Sequence, residues 1–255
     1  MKTILVIGDS CHDIYHYGEC DRLSPEAPVP IFKEIKQVSK FGMSLNVAEN
    51  LKTFGFNVIH LTNQEIITKH RFVDTRSKQH LLRVDRGEQK KLSRINLKEI
   101  KLNCNVDAVV ISDYNKGFLS SNDCTQICSF YKSLDIPVFV DSKKKELNCF
   151  NDCWLKINEK EYLTSKTLPL DSNILITLGS KGAKYMDKIY PTDSVEVFDV
   201  CGAGDIFLSA FVSSYLDTKE VESAINFANK FASLSVTKFG TYVIIQKDIE
   251  RILNE

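Results

Sequence analysis

The chain has 255 residues, 43% of them hydrophobic, and its 33 Lys+Arg balance its 33 Asp+Glu. That length carries one large domain with a generous core, and zero net charge excludes the basic excess or stripe of a nucleic-acid binder. No apolar run approaches membrane-spanning length, and the start Met1–Asp9 turns polar too soon for a signal peptide, so a soluble, cytoplasmic protein with no membrane partner is expected.

In chain order, Thr3 to Ile7 reads as a buried strand that ends in the turn Gly8-Asp9. The stretch Arg22-Leu23-Ser24-Pro25-Glu26-Ala27-Pro28-Val29-Pro30 is barred from helix by its prolines and must run extended, along an edge or as a flap. Ser44 to Phe54 places Leu45, Val47, Ala48, Leu51 and Phe54 at helical spacing, and Gly55 supplies a stop. Val58 to Leu61 is a strand, and Phe72-Val73 and Leu81 to Asp85 are β segments around a polar turn at Thr75 to Lys78.

Beyond residue 107 strand and helix alternate. Short apolar strands are predicted at Ala108–Ile111, Pro137–Val140, Trp154–Ile157 and Ile174–Thr177. Helices are predicted at Asn122–Leu134, from about Glu159, at Gly202–Tyr215 and at Lys219–Thr237. Continuous apolar strands between helices indicate a parallel sheet covered on both faces. Ligands of such sheets bind beyond the carboxyl ends of the strands, where Asp9, Asp113, Asp141, Asn158, Gly179 and Asp205 lie.

The eight cysteines (Cys11, Cys20, Cys104, Cys124, Cys128, Cys149, Cys153 and Cys201) form no C-x-x-C pair. Cys124/Cys128 and Cys149/Cys153 are closely spaced, but no histidine is near to complete a zinc set. All eight read as reduced thiols, several of them filling core.

The run Asp199-Val200-Cys201-Gly202-Ala203-Gly204-Asp205 precedes an apolar helix. A glycine-rich turn at a helix start presents backbone N–H groups, a cradle for phosphate or a developing oxyanion. A carboxylate beside it accepts a proton from an attacking hydroxyl, and the pair meets most of what phosphoryl transfer to an alcohol requires. The plain alternative is a strand-to-helix turn with Asp205 as a cap.

Together these residues resemble the ribokinase (PfkB) family of carbohydrate kinases. Asp199 to Val212 fits the family's C-terminal signature, Gly8-Asp9 with Asp13 its N-terminal sugar-binding turn, and Gly42, Asn46, Val47 and Ala48 its G-G-x-x-N-x-A helix start. Asn158-x-x-Glu161 is similar to the N-x-x-E motif, and Thr177-Leu178-Gly179-Ser180-Lys181-Gly182 to the T-x-G-x-x-G nucleotide loop. Within the family, Arg22 with Ser24 to Pro30, Thr68-Lys69-x-Arg71, Gln79 to Asp85, Ser112-Asp113-Tyr114-x-Lys116-Gly117 and Lys238-x-Gly240-Thr241 resemble the kinases of D-glycero-D-manno-heptose 7-phosphate. Those enzymes make the 1,7-bisphosphate for lipopolysaccharide and are often fused to a nucleotidyltransferase, for which 255 residues leave no room.

The resemblance implies an α/β, ribokinase-like single domain over residues 1–255. Its mostly parallel central sheet has helices on both faces, and a small β lid comes from about residues 14–40 and 68–85. It implies an ATP- and Mg2+-dependent kinase of a sugar phosphate. Asp205 is the base, and the amides of Gly202, Ala203 and Gly204 receive the transferring phosphoryl group. Asp13, Gly42 and Asn46 hold sugar hydroxyls, although Asp13 also reads as a turn residue and Asn46 as a helix-start residue. Arg22, Lys69, Arg71, Arg83, Asp113, Lys116 and Lys143 are placed on the substrate side, the cations as candidates for its phosphate; each alone also reads as a solvated surface charge. Asn158, Thr177, Gly179, Gly182 and Asn229 face the nucleotide. Asn158 and Glu161 hold magnesium through water, or form a polar pair on a helix surface. The flap at Pro25–Pro30 closes over the sugar, and such flaps pair two subunits, which implies a homodimer.

Three departures stand out. Met43 replaces the second glycine of G-G-x-x-N and is expected to narrow the space beside the sugar. The stretches Leu61–Thr68 and Glu161–Ile174 are trimmed. The open alternatives are a kinase of another sugar, sugar phosphate or nucleoside, and a kinase fold without catalysis. A NAD-dependent dehydrogenase is disfavoured, because no G-x-G-x-x-G follows the first strand.

Overall fold

The computed structural model describes residues 1–88 and 92–254. Its elements run β1 (Thr3–Gly8), β2 (Ser10–Leu23), β3 (Pro30–Met43), α1 (Ser44–Thr53), β4 (Asn57–Leu61), β5 (Thr68–Asp74), β6 (His80–Arg86), α2 (Leu97–Leu102), β7 (Ala108–Asp113), α3 (Ser121–Ser133), β8 (Val138–Ser142), β9 (Trp154–Asn158), α4 (Glu159–Thr164), β10 (Asn173–Thr177), β11 (Ala183–Tyr185), β12 (Lys188–Tyr190), α5 (Ala203–Thr218), α6 (Val221–Val236) and α7 (Gln246–Leu253).

The main sheet has the order β12-β11-β10-β9-β8-β7-β1-β4. It is parallel from β10 to β4, and only the edge hairpin β11–β12 runs antiparallel. Successive strand residues point to opposite faces, and here both faces are apolar. Ile4, Val6, Ala108 and Val110 join one core with α1, α5, α6 and α7, while Leu5, Ile7, Val109 and Ile111 join a second with α2 and α3. That double burial is why the strands read as unbroken apolar runs.

After β1 the chain builds β4 on one side and β7 to β10 on the other, so the order reverses between β1 and β7. A ligand crevice opens at the carboxyl ends of strands beside such a switch. Gly8 lets the two strands meet there: a Cβ on it would lie 1.8 Å from the Ser112 carbonyl oxygen.

A second sheet, β3-β2-β5-β6, forms the lid. It is longer at its root than the sequence suggested, because β2 starts at Ser10 and β3 reaches Met43 with continuous pairing from Ser10↔Met43. The proline-rich stretch is the exposed tip of the β2–β3 hairpin, held by Ser24 N–H to the Val29 carbonyl at 2.8 Å.

The helix boundary near residue 219 also differs. Lys219 caps α5 in left-handed conformation, φ 59°, so it ends one helix and does not begin the next. α2, α7 and the β11–β12 hairpin were not anticipated. Met43 enters α1 at φ 57°, a conformation that favours glycine. Its side chain is buried in the second core, which also holds Cys11 and Ile67.

Candidate active site

α5 begins at Gly202, whose φ of 79° turns the chain in left-handed geometry that suits glycine. The turn brings Asp205 into the first turn of the helix, 2% exposed. Its two carboxylate oxygens accept one hydrogen bond each, from the Tyr114 hydroxyl at 2.8 Å and from Asn46 Nδ2 at 3.1 Å. Burial pushes its pKa up to about 6; the Asp141 charge adds to the rise, and Asn46, Tyr114 and Lys156 restrain it. A carboxylate poised there is suited to take a proton near neutral pH.

Beneath the glycine turn lies a buried ion cluster. Asp141, at the end of β8, accepts from Lys143 Nζ at 3.0 Å and from Lys156 Nζ at 2.6 Å. Burial alone would raise Asp141; the two ammoniums outweigh it and bring it down to about 2. Lys143 also meets Glu161 at 2.8 Å. Burial opposes its charge, but Asp141 and Glu161 hold it above the usual lysine range. Lys156 sits so close under the turn that a Cβ on Gly204 would lie 2.6 Å from its Nζ. The glycine therefore admits a cation directly beneath the turn.

Above the cluster opens a cavity of about 410 Å³ lined by Asp205, the glycine turn, Lys143, Lys156, Asn158, Thr177, Gly179, Gly182 and Asn229. All five expected nucleotide-side residues therefore line the same cavity as Asp205. Asn229 Nδ2 donates to the Tyr190 carbonyl at 2.9 Å, which fixes the chain after β12. Gly182 has φ 90°, and a Cβ there would strike the Tyr190 carbonyl at 2.1 Å. Of the three signature amides, that of Ala203 donates to the Val200 carbonyl at 3.3 Å, so it is not free as expected.

Asn158 and Glu161 cap α4 reciprocally. Asn158 Oδ1 accepts from the Glu161 N–H at 2.8 Å, and Glu161 Oε2 from the Asn158 N–H at 2.9 Å. Both side chains thus serve the helix start, and Glu161 Oε1 serves Lys143.

On the lid side, Asp13 is 3% exposed and forms an ion pair with Arg71. Gly42 leaves room for it, since a Cβ there would lie 2.7 Å from Asp13 Oδ2. Lys69 and Lys116 converge on Glu88 at 3.6 and 2.7 Å. Tyr114 stands between the two sides, with Lys69 and Lys143 6.0 and 5.5 Å from its ring centre.

Three expected residues are not gathered in. Arg22 is exposed near the lid tip, nine residues along β2 from Asp13. Arg83 is largely exposed and pairs with Asp85 at 2.8 Å. Asp113 is fully buried and holds Lys144 at 2.9 Å, because the strand end needs a counter-charge for that lysine. Tyr114, Asp141 and Lys156 were not singled out as site residues. Lys156 left a trace: it interrupts the apolar strand Trp154-Leu155-Lys156-Ile157, and a charge in a doubly buried strand needs a buried partner.

The pfkB family carbohydrate kinase model matches residues 43–248. The chain belongs to that family. This kinase is 30% identical to the Bifunctional protein HldE of Campylobacter curvus over 98% of its own length and 64% of the relative's. It is 31% identical to that of Sulfurimonas denitrificans, over 97% and 63%. It therefore spans somewhat under two thirds of those relatives. In fold it is similar to Escherichia coli phosphofructokinase-2 in complex with substrates and products (TM-score 0.78, 15% identity, 100% and 99% covered). It is also similar to ribokinase from Thermotoga maritima (TM-score 0.71, 18% identity, both chains fully covered). The family is one of ATP-dependent carbohydrate kinases, and the fold is ribokinase-like. Among the described residues no helix is long and apolar enough to cross a membrane.

Proposed function

We propose that this kinase transfers the terminal phosphoryl group of ATP to a sugar phosphate, D-glycero-D-manno-heptose 7-phosphate at its anomeric hydroxyl. The observation that carries the catalytic reading is Asp205, buried at the junction of a nucleotide-sized cleft and the sugar-side residues, with its pKa raised to about 6. The heptose assignment rests on the HldE relatives and on the lid and Ser112–Gly117 motifs, which resemble those of heptose 7-phosphate kinases. Lys69 and Lys116, paired only with Glu88 among the described ion pairs, supply cations for the phosphate that such a sugar carries.

In this reading Asp13, Gly42 and Asn46 seat the sugar. Asp205 takes the proton of the attacking hydroxyl while Asn46 and Tyr114 hold its carboxylate in line. The amides of Gly202 and Gly204, with Lys156 and Lys143 of the ion cluster beneath them, meet the charge that grows on the phosphoryl oxygens. Thr177, Gly179, Gly182 and Asn229 shape the nucleotide side. Magnesium, when bound, would supply positive charge that offsets the ATP phosphates. Glu161 and Asn158, committed to the α4 cap and to Lys143, fit an outer role in which they touch its waters. Two chains would pair through the outer lid face, where Phe41 and Leu82 are 40% and 57% exposed.

The test is a panel of free sugars, hexose phosphates and the heptose 7-phosphate, with ATP, scored by ADP release. Turnover confined to the heptose phosphate is expected. Turnover of other sugars alone would overturn the substrate, and none at all would overturn the catalytic reading.

The same assay gives a pH profile. A base must be deprotonated to act, so kcat/KM is expected to level off above about pH 6, the value set at Asp205, and to fall about tenfold per unit below it. Tyr114→Phe removes a donor that favours the carboxylate, and should move that limb to higher pH. An unmoved limb would separate Tyr114 from the base.

A further inference from the structure

Asp13 and Lys69 are direct neighbours across β2 and β5, so both point from one face of the lid. Asp13 takes Arg71, two residues further along that face of β5, and Lys69 is left to another partner. That partner is Glu88, which also binds Lys116 of the body. Glu88 Oε2 accepts from Lys116 Nζ at 2.7 Å, whereas Lys69 Nζ stands 3.6 Å from Oε1. The first is a hydrogen bond, and the second is too long to be one. Glu88 Oε1 is buried with no hydrogen-bond partner among the described residues, which costs free energy.

The chain is shaped to deliver Glu88 there. Gly87 follows β6 at φ 86°, and a Cβ on it would lie 2.4 Å from the Ile66 carbonyl oxygen, so the passage requires glycine. Lys116 is set from the other side: its N–H and that of Phe118 each donate to the fully buried Asp9 at 3.3 Å. Tyr114 of the same loop has its hydroxyl on Asp205 and its ring centre 6.0 Å from Lys69 Nζ. It thus spans from the base to the lysine set.

On the sugar-phosphate reading above, on which this rests, we propose that Glu88 is a stand-in anion and the residue that selects phosphorylated sugars. Its carboxylate occupies Lys69 and Lys116 until the phosphate of the substrate displaces it. A phosphate has oxygens enough to accept a hydrogen bond from both lysines, which the Glu88 carboxylate does not manage here. The Glu88 side chain is already 22% exposed, so the displaced carboxylate has water beside it. A free sugar leaves the Glu88 pair closed. Because β6 belongs to the lid and Lys116 to the body, the exchange also breaks one tie between them.

The test is calorimetric titration of the full chain with inorganic phosphate, without sugar or ATP. Glu88→Gln keeps the side-chain volume and removes the competing charge. It is expected to bind phosphate about tenfold more tightly than the parent, the worth of one charge-assisted hydrogen bond. Glu88→Ala, which leaves nothing to compete, should bind at least as tightly as Glu88→Gln. Adding Lys116→Met to Glu88→Gln should abolish the gain. Phosphate bound no more tightly by Glu88→Gln and Glu88→Ala than by the parent, or not at all, overturns the proposal. So does a gain that survives Lys116→Met, because the anion then sits elsewhere. Neither sugar nor ATP enters the titration, so its result is separate from that of the heptose assay.

Discussion

Asp205→Asn is expected to lower kcat by about 10²–10⁴-fold while ATP still binds. The amide keeps the volume of the side chain, so the cavity wall and the α5 start remain. What it loses is the basic oxygen. In the native protein both oxygens are held by Tyr114 and Asn46 at 2.8 and 3.1 Å, which fixes the acceptor without charging it out of use. The variant has a second expected consequence. An aspartate raised from 3.8 to about 6 binds its proton more tightly folded than unfolded. Its ionisation therefore weakens the fold progressively as pH rises from about 4 to about 6 and fully above that window, by roughly 3 kcal/mol. Removing the charge offsets the loss of one native hydrogen bond. At pH 8 the variant should melt no lower than the parent, whereas below pH 4 that advantage is gone. Calorimetric ATP binding, turnover and melting at the two pH values test this together; an active Asp205→Asn protein would remove the base from the mechanism.

Lys156→Met should be costly in two ways. Lys156 and Asp141 are 4% and 2% exposed at 2.6 Å, and removing one partner of a buried pair strands the other charge. The expected loss is about 3 kcal/mol of stability, with Lys143 left as the remaining partner of Asp141. The depressed Asp141, at about 2, contributes stability above its unfolded value of 3.8 that is lost as pH falls through 2. Without Lys156 the folded value rises toward 3.8, so this pH-dependent contribution should shrink and its loss should be complete at a higher pH. Catalysis should fall by about 10²–10³-fold, because a fixed positive charge under the anion-binding turn is gone. Urea melts at several pH values, with kcat measured on the folded fraction, separate the two effects. A variant with normal kcat and reduced stability would leave Lys156 a purely structural partner.

How much of this was readable in the chain follows from burial. The parallel strands from Ala108 to Thr177 were legible because both faces of the sheet are apolar, and a doubly buried strand has no polar alternation to hide it. Asp205 and the glycine turn were legible because one backbone conformation forces the residue type, as the 79° φ of Gly202 shows. The ion cluster was not, since Asp141 and Lys156 come from strands β8 and β9 and meet only through their pairing. Tyr114 was visible as a letter in a motif but not as a donor to a residue 91 positions away. Spacing alone also misjudged Asp113: its place at a strand end is the same as that of Asp141, but it pairs with Lys144, and neither residue lines the cavity that Asp141 does.

The root of the lid is bolted to the body at two points. Lys40 Nζ donates to the Phe239 carbonyl at 2.6 Å, and the Tyr15 hydroxyl accepts from the Thr241 N–H at 3.0 Å. Thr241 in turn abuts Gly202, within 3.5 Å of where its Cβ would stand. The hairpin is therefore a cantilever: anchored at its root, tied again at Asp21 to Lys33 and Arg76, and exposed at its tip from Pro25 to Pro30. Chain length and composition are free to drift at the far end, whereas a change at Tyr15 alters the contact with Thr241, which abuts the glycine turn at the start of α5.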